Sequence, residues 1–301
     1  IFRSGENKII IRTSGKELIL KLKNFFQREY WFIEISKRVD KIKSLIEHNI
    51  YGSFTNEKSK NLAHWFVDGE EYFADLYKNL MEAKDTIFIT DWWMSPEVWL
   101  IRPIKVEVYE SMAFHNKNKK EAPPYSRLMD VLYQKALKGV KIYILVYSEC
   151  SLALSLQSKH TQDTLEQLHE NIIVTRHPDS FITKDIFWSH HEKLVIIDQK
   201  LAYVGGLDLC WGRWDTHLHP LIEIENERHE YNFPGIDYSN ARIIDFIKVN
   251  EYLYESVPRN NKPRMPWHDV HTRLIGPVVS DIARHFVQRW NFSRARDQAI
   301  T

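Results

Sequence analysis

His191 and Lys193 are the residues in this chain whose types and spacing are best suited to chemistry. They stand in the run HHEKLVIID, which ends at Asp198, and the glycine pair 205–206 follows seven residues later. An imidazole has a pKa of about 6.5, so a neutral nitrogen that can attack phosphorus is available at pH 7. The lysine supplies a fixed positive charge for phosphate oxygens, which gain charge in the transition state. The pair can therefore carry out phosphoryl transfer on a phosphodiester without a metal ion.

A β-strand is the element predicted to position these two side chains. Because side chains alternate along a strand, His191 and Lys193 would share one face, about 7 Å apart. Leu194 and Ile196 would point to the opposite face and pack against the core. One side of the strand would then pack while the other side meets a ligand.

A hairpin is predicted to follow from the same run. Asp198 interrupts the apolar residues, which resume over 201–204. Gly205 and Gly206 permit backbone conformations and close approaches that a Cβ would block. Asp198 falls at the turn, roughly 15 Å from His191 along an extended strand. We therefore expect Asp198, although it belongs to the catalytic motif, to stabilise the hairpin rather than contact the imidazole.

The spacing HxKxxxxD followed by a glycine pair resembles the HKD signature of the phospholipase D superfamily. The longer run HHEKLVIIDQKLAYVGGLDLCWGRWD is similar to the first HKD motif of the eukaryotic, phosphatidylcholine-hydrolysing phospholipases D. The segments ITDWWMSPE, PRMPWHD and ARHFVQRWN resemble the same proteins, so the resemblance extends over residues 50–292. It implies an α/β fold, namely a phospholipase D-like α-β-α sandwich with a mixed β-sheet.

The resemblance also implies a reaction. Phosphatidylcholine would be hydrolysed to phosphatidic acid and choline through a phosphohistidine intermediate, with transphosphatidylation to primary alcohols. The family mechanism uses two histidines from two HKD motifs, and this chain contains one HxKxxxxD run. The second motif would come from the same parent chain, of which this chain would be a fragment, or from dimerisation. The competing interpretations are a catalytically incomplete lipid-binding or regulatory fragment, and another superfamily phosphodiesterase such as a nuclease or a phospholipid synthase.

Two further acids become candidates through the resemblance. In the family, the carboxylate partner of the catalytic histidine comes from a later strand that returns beside the motif, and Asp269 in PWHD is the candidate here. The alternative is that residues 267–269 only anchor a loop. Asp208 stands where the wider superfamily has asparagine, and it matches the eukaryotic first motif. We interpret Asp208 as a substrate-site residue that contacts basic side chains of the partner half.

Two tryptophans and two histidines are weaker candidates for the site. Trp92 and Trp93 follow the predicted buried strand 86–91. Sites in α/β folds collect at strand ends, so Asp91 and the two tryptophans could line a substrate mouth; the alternative is that the tryptophans pack the domain. His217 and His219 have a spacing that could bind a metal ion, but the sequence offers no third ligand nearby. We therefore expect a solvated loop there, and no metal.

The composition limits which kinds of partner and which cellular location we expect for this protein. The net charge is +1, which gives no support to a nucleic-acid binder. Cys150 and Cys210 cannot form a disulfide framework, which indicates a reduced, cytoplasmic protein. No apolar run reaches the roughly 18 residues of a membrane span, so membrane contact would be peripheral. The resemblance implies a phospholipid surface as partner, activation by phosphoinositides and regulation by small GTPases. It also implies that the reaction needs no cofactor.

Residues 1–48 and 49–301 are predicted to be separate domains. Two strands around residues 14–15 and an amphipathic helix after Asn24 resemble the C-terminal end of a pleckstrin-homology domain. Residues 49–301 resemble the first HKD half of a phospholipase D catalytic domain. There the apolar spacing predicts helices over 60–84, 125–137 and 161–169, strands over 86–91, 140–147 and 171–176, and a last helix after residues 276–277.

Overall fold

The computed structural model describes residues 1–5, 7–12, 17–45, 54–105, 126–149, 154, 156–178, 189–223, 230–238, 251–255 and 257–294. The chain divides into two compact units, Ile1–Glu57 and Lys58–Thr301. The boundary predicted between residues 48 and 49 lies outside the described residues.

The first unit is a three-stranded antiparallel sheet followed by a helix. Its elements are β1 (Phe2–Ser4), β2 (Lys8–Arg12), β3 (Glu17–Lys21) and α1 (Phe25–Leu45). The side-chain oxygen of Asn24 accepts the N–H of Gln27 (2.9 Å), which caps the first turn of α1. The predicted strand pair and helix are confirmed, and the likeness to a pleckstrin-homology domain stays a prediction.

The second unit is built on a seven-stranded mixed sheet. Within its described residues, the unit contains seven strands in this sheet and two in a separate ribbon. In chain order they are β4 (Leu62–Val67), β5 (Thr86–Asp91), β6 (Ile104–Lys105), β7 (Lys141–Tyr147), β8 (Ile172–His177), β9 (Leu194–Ile197), β10 (Leu201–Gly205), β11 (Glu230–Tyr231) and β12 (Val270–Ile275). Its helices are α2 (Gly69–Glu82), α3 (Leu128–Leu137), α4 (Ser158–Glu166) and α5 (Val278–Arg294). The order in the sheet is β4-β12-β10-β9-β5-β7-β8, with β6 and β11 in a separate ribbon. The neighbours β5, β7 and β8 run parallel, and the other pairs are antiparallel.

Helices cover both faces of this sheet, and each face has its own apolar core. On one face, α2, α3 and α4 contribute Leu76, Leu132 and Leu165 to the larger core. On the other face, α5 contributes Val279 and Phe286 to the smaller core. The α-β-α sandwich with a mixed sheet is therefore confirmed.

The helix predicted over residues 60–84 is wrong in its first part. Residues 62–67 form β4, and α2 begins only at Gly69. Leu62 and Phe66 are four residues apart, which fits a helix, but β4 pairs with β12 along its whole length. Asp68, with a φ of 65°, then turns the chain from the strand into the helix. Pairing with a strand far along the chain thus overrides a local helical pattern.

The other predicted elements of the second unit occur in the predicted order, with their ends shifted by a few residues. Across the part of the chain that the structure describes, no helix is both long enough and apolar enough to cross a membrane.

Candidate active site

The motif hairpin consists of β9 and β10 in the middle of the sheet. β9 pairs with β5 on one side and with β10 on the other. It begins only at Leu194, so the strand predicted through His191 and Lys193 is wrong. The ladder ends there because Leu194 pairs with Val204, and β10 stops at Gly205. All of β9 is buried, with alternate side chains in the two cores, so neither of its faces meets a ligand.

His191 and Lys193 meet at the indole of Trp92 instead of on a strand face. The ring centroids of His191 and Trp92 are 5.2 Å apart. The Nζ atom of Lys193 lies 5.6 Å from the centroid of the same indole. His191 is exposed, whereas Lys193 is 4% exposed. The imidazole therefore faces solvent beside a buried cation, which suits a nucleophile that receives its phosphate from outside.

Asp208 holds Lys193 in place. The distance from Lys193 Nζ to Asp208 Oδ1 is 2.8 Å, and Arg213 Nε lies 3.5 Å from Asp208 Oδ2. Both side chains of the lysine–aspartate pair are 3% exposed, so the pair is shielded from water. In the described residues, Asp208 contacts the basic groups of Lys193 and Arg213 from this chain, and a contact with a partner half stays a prediction.

Asp91, at the end of β5, is buried beside Lys193 and Asp208, and we call these three side chains the buried layer. Its carboxyl oxygens accept the N–H groups of Trp92 (2.9 Å) and Leu209 (2.8 Å), and it shares a hydrogen bond with Asp208. Burial raises the pKa of Asp91 well above its ordinary value, and the charge of Asp208 raises it further. Burial also opposes the charge of Asp208, but the hydrogen bond from Asp91 and the charge of Lys193 outweigh it and lower the pKa of Asp208. The raised pKa favours the neutral form of Asp91, and the lowered pKa favours the charged form of Asp208.

The pKa of His191 is lowered from its ordinary value. Partial burial is the largest cause, and the positive charge of Lys193 is the next. The charges of Asp208 and Asp269 act in the opposite direction without reversing the shift. A lowered pKa keeps the imidazole neutral at pH 7, which is the form in which an imidazole can act as a nucleophile.

Asp269 lies against Gly206, and no hydrogen bond joins it to His191 in the described residues. A Cβ added at Gly206 would overlap the Asp269 carboxylate, so this close approach requires glycine. Asp269 Oδ1 accepts the N–H of Val270 at 2.8 Å. The structure therefore brings Asp269 to the glycine pair and into electrostatic reach of His191. Its role as the partner of the imidazole stays a prediction.

Gly205 and Asp198 position other parts of the hairpin. A Cβ at Gly205 would overlap the ring of His271 on β12. The carboxylate of Asp198 accepts the backbone N–H groups of residues 84–86 at distances between 2.7 and 3.2 Å. Partial burial opposes its charge, but these hydrogen bonds outweigh burial and lower the pKa of Asp198. Asp198 therefore joins the hairpin turn to the loop before β5, and its hydrogen bonds in the described residues do not involve His191 or Lys193.

Trp92 and Trp93 differ in burial and contacts, and a role for either in lining a substrate mouth stays a prediction. Trp92 is half-buried and contacts both motif side chains, whereas Trp93 is buried in the larger core. Arg213, to which the motif spacing does not point, packs over the ring of Trp93 (5.3 Å) and the ring of Trp267 (3.7 Å). Its place in the run GLDLCWGRWD, five residues after Asp208, is the signal in the sequence that could have identified it.

The loop that carries His217 and His219 is not simply solvated. Asp68 and His268, from distant parts of the chain, lie beside His219 and complete a possible three-residue metal-binding set. The sequence near His217 and His219 offers no third ligand, but the fold brings Asp68 and His268 to His219 from distant positions, and the expected absence of a metal stays a prediction.

An exposed imidazole beside a buried lysine, on an HxKxxxxD hairpin in a mixed α/β sandwich, defines the HKD class of protein. The chain belongs to the phospholipase D family, because the family model described as Phospholipase D matches residues 79–300.

Curated relatives agree with this assignment. Phospholipase D1 of Saccharomyces cerevisiae is 40% identical over 81% of this chain, and Phospholipase D of Phytophthora infestans is 46% identical over 76%. Phospholipase D2 of Bos taurus is 33% identical over 97%. The chain spans 14%, 12% and 32% of the lengths of these three relatives. Among solved structures, NucT from Helicobacter pylori matches with a TM-score of 0.39 and 11% identity, over 78% of this chain and 98% of that chain.

Proposed function

We propose that this chain supplies the first HKD half of a phospholipase D that hydrolyses phosphatidylcholine to phosphatidic acid and choline. The observation that carries the proposal is the exposed His191 beside the buried pair of Lys193 and Asp208. An imidazole kept neutral at pH 7 next to a fixed cation suits attack on a phosphodiester. The likeness of the motif run to the phosphatidylcholine-hydrolysing enzymes supports the choice of head group.

The proposed reaction has two displacements at phosphorus. In the first, a ring nitrogen of His191 attacks the phosphate and the bond from phosphorus to the choline oxygen breaks. A histidine of the second HKD motif donates the proton that choline takes away. In the second, that histidine removes a proton from water, the water oxygen attacks phosphorus, and the bond from phosphorus to nitrogen breaks. A primary alcohol in place of water gives transphosphatidylation.

Lys193 and Asp208 have distinct roles in this scheme. The lysine stabilises the negative charge that grows on the phosphate oxygens. The carboxylate keeps the lysine oriented and compensates its charge before substrate arrives. The lowered pKa of His191 favours the role of nucleophile over that of general acid, since a nucleophile must be unprotonated.

The second HKD motif is supplied by the same parent chain or by a second copy of this chain. The test measures choline release and transfer to ethanol with phosphatidylcholine vesicles. It compares this chain alone with the chain extended through a second-motif half. We expect turnover, and a labelled phosphohistidine in acid-quenched samples, only where two motifs are present.

Matched variants make this test specific. His191→Asn should abolish turnover and labelling, whereas His64→Asn, at an exposed histidine of β4, should leave both unchanged. Turnover by His191→Asn at the wild-type rate would overturn the proposal. Lipid binding without turnover in the extended protein would instead favour a regulatory fragment, and cleavage of DNA in place of phosphatidylcholine would favour a nuclease.

The protein is further proposed to act at the cytoplasmic surface of a membrane, without an added cofactor. Leu218, Leu221 and Ile222 are exposed apolar residues on one loop, which supports contact with lipid. Vesicle flotation tests this: Leu218→Asp should release the protein from phosphatidylcholine vesicles, and equal flotation of variant and wild type would contradict it. Phosphoinositide activation and small GTPase regulators stay predictions from the family resemblance.

A further inference from the structure

We propose that Asp68, His219 and His268 form a binding site for a divalent transition-metal ion of the zinc class. These residues come from the turn between β4 and α2, from the loop after β10 and from the segment before β12. One ligand atom of each lies within 4.8 Å of the other two. The set offers two imidazole nitrogens and one carboxylate oxygen, which is a donor combination that zinc takes in proteins.

The donor atoms lie within reach of one ion, with the two histidines on different oxygens of Asp68 and the contact of His268 needing to lengthen by about 0.6 Å when an ion binds. His219 Nε2 lies 3.4 Å from Asp68 Oδ2, and His268 Nδ1 lies 2.7 Å from Asp68 Oδ1. Two ligands of a tetrahedral zinc ion with bonds of about 2.0–2.1 Å are roughly 3.3 Å apart. The rings of His219 and His268 are nearly perpendicular, at 84°, with centroids 5.2 Å apart. The two histidines therefore converge on the carboxylate from different directions.

The outer residues around His219 also fit a metal ligand. His219 Nδ1 lies 3.2 Å from Asp215 Oδ2, which leaves Nε2 directed at Asp68. A ligating histidine characteristically donates its other ring N–H to a carboxylate, which fixes the ring and raises its basicity. Asp215 is fully buried and is itself held by the guanidinium of Arg264 at 2.9 and 3.2 Å. Contacts with the buried side chain of Asp215 therefore fix the orientation of the His219 ring.

The three proposed ligands differ in how far their side chains are exposed to solvent. Asp68 is 1% exposed, so its charge lies in a shielded position, where a cation offsets the cost of burial. The side chain of His268 is 69% exposed, which gives an ion a path from solvent. His217 Nδ1 also lies 3.1 Å from Asp68 Oδ2, but His217 is outside the three-residue set.

A metal ion here would fasten the segment that carries Asp269. His268 precedes Asp269 directly, and the backbone N–H of Asp68 donates to the carbonyl of Asp269 at 2.8 Å. The ion would therefore join α2, the loop after β10 and the approach to β12 at a point next to the glycine pair. This role is structural and does not depend on the proposed reaction.

The test measures metal uptake by the purified protein after treatment with a chelator. We expect one equivalent of Co²⁺ to bind with visible absorption bands of a low-coordination site, and one equivalent of Zn²⁺ to displace it. Asp68→Asn, His219→Gln and His268→Gln should each weaken Zn²⁺ binding by roughly a hundredfold, since loss of a ligand exceeds loss of an outer partner. His64→Gln should bind like wild type, and His217→Gln, which removes only an outer contact to Asp68, should weaken binding by about tenfold and thus clearly less than the ligand variants.

A second measurement keeps the test valid if a variant fails to fold. In the wild-type protein, Zn²⁺ should protect His219 and His268 from diethyl pyrocarbonate, as read by mass spectrometry, while His64 stays reactive. Absence of stoichiometric Co²⁺ or Zn²⁺ uptake by the folded wild type would overturn the proposal. So would wild-type affinity in the three ligand variants, or loss of binding in His217→Gln, which would change the ligand set.

Discussion

Lys193 Nζ lies 2.8 Å from Asp208 Oδ1, and the two side chains are almost fully buried together. The lysine of the HKD motif is therefore oriented by a carboxylate of its own chain before any second motif arrives. Asp91 interacts with the same carboxylate, and the opposite pKa shifts of the two acids favour a proton on Asp91 and a charge on Asp208. This chain therefore supplies all three side chains of the buried layer, and the imidazole of His191 is exposed to solvent.

Substitution of the two acids should separate their roles. Asp208→Asn removes the anion that compensates Lys193 and Arg213, so we expect a loss of about 3 kcal/mol of unfolding free energy. Asp91→Asn keeps a hydrogen-bond donor toward Asp208 and changes no charge, since the raised pKa of Asp91 favours its neutral form. We expect it to cost about 1 kcal/mol, the value of a single hydrogen bond. Urea denaturation at pH 7 measures both, and equal losses would show that the proton is not on Asp91.

His191 should titrate below the ordinary histidine range. The imidazole Cε1 proton, assigned by its absence in His191→Asn, gives the pKa by NMR. Because the charge of Lys193 contributes to lowering this pKa, Lys193→Met should raise it toward the ordinary value of about 6.5. In the active protein, the acid limb of kcat/KM should follow the same shift. An unchanged titration in Lys193→Met would contradict the electrostatic explanation.

The sequence predicted most of the elements, the hairpin and the motif residues because these depend on local spacing, and the family resemblance implied the sandwich. Alternating and helical apolar patterns set the elements, and HxKxxxxD marks the turn at Asp198. It did not predict that β9 starts only at Leu194, because where a ladder ends depends on the neighbouring strand. For the same reason the helix predicted from residue 60 proved to be β4, whose partner β12 lies far along the chain.

The buried layer was out of reach of sequence reasoning for a different physical reason. The approach of Asp91 to Asp208 depends on β5 ending beside the loop after β10, which no spacing encodes. The cluster around Asp68 likewise joins three distant segments. Such contacts follow from tertiary packing, so only the fold reveals them.

His271 should make the stability of the protein fall in mild acid. It is buried against Tyr72, with ring centroids 3.9 Å apart, and burial lowers its pKa to about 3. The unfolded chain takes up a proton near pH 6.5, whereas the folded chain takes it up only near pH 3. The stability contribution is thus complete above pH 6.5 and is lost as the pH falls toward 3, at about 1.4 kcal/mol per unit.

A variant isolates this contribution. His271→Asn keeps an acceptor for the N–H of Leu207, which now donates to His271 Nδ1 at 3.4 Å, but it cannot titrate. Urea midpoints at pH 7, 6 and 5 should give the variant a shallower pH slope than wild type, whatever its stability at pH 7. His190, whose pKa burial lowers to about 4, keeps part of the slope in both proteins. Parallel slopes would mean that His271 is protonated in the folded state.

Asp198 belongs to the signature of the family, yet its contacts predict a structural phenotype. Its carboxylate accepts three backbone N–H groups from residues 84–86, and each such hydrogen bond to a charged group contributes about 1.5–3 kcal/mol. Asp198→Asn keeps one acceptor oxygen and loses the charge, so we expect a loss of about 3 kcal/mol, measured by urea denaturation. Acid should remove the wild-type advantage, because the lowered pKa of Asp198 gives stability that is present above the unfolded value and lost as the pH falls through the folded one. Turnover tests the same assignment independently. In the two-motif protein at low temperature, the folded Asp198→Asn variant should keep a turnover within about tenfold of wild type, whereas His191→Asn should have none. Equal loss of turnover in both, with unchanged stability of Asp198→Asn, would place Asp198 in the chemistry after all.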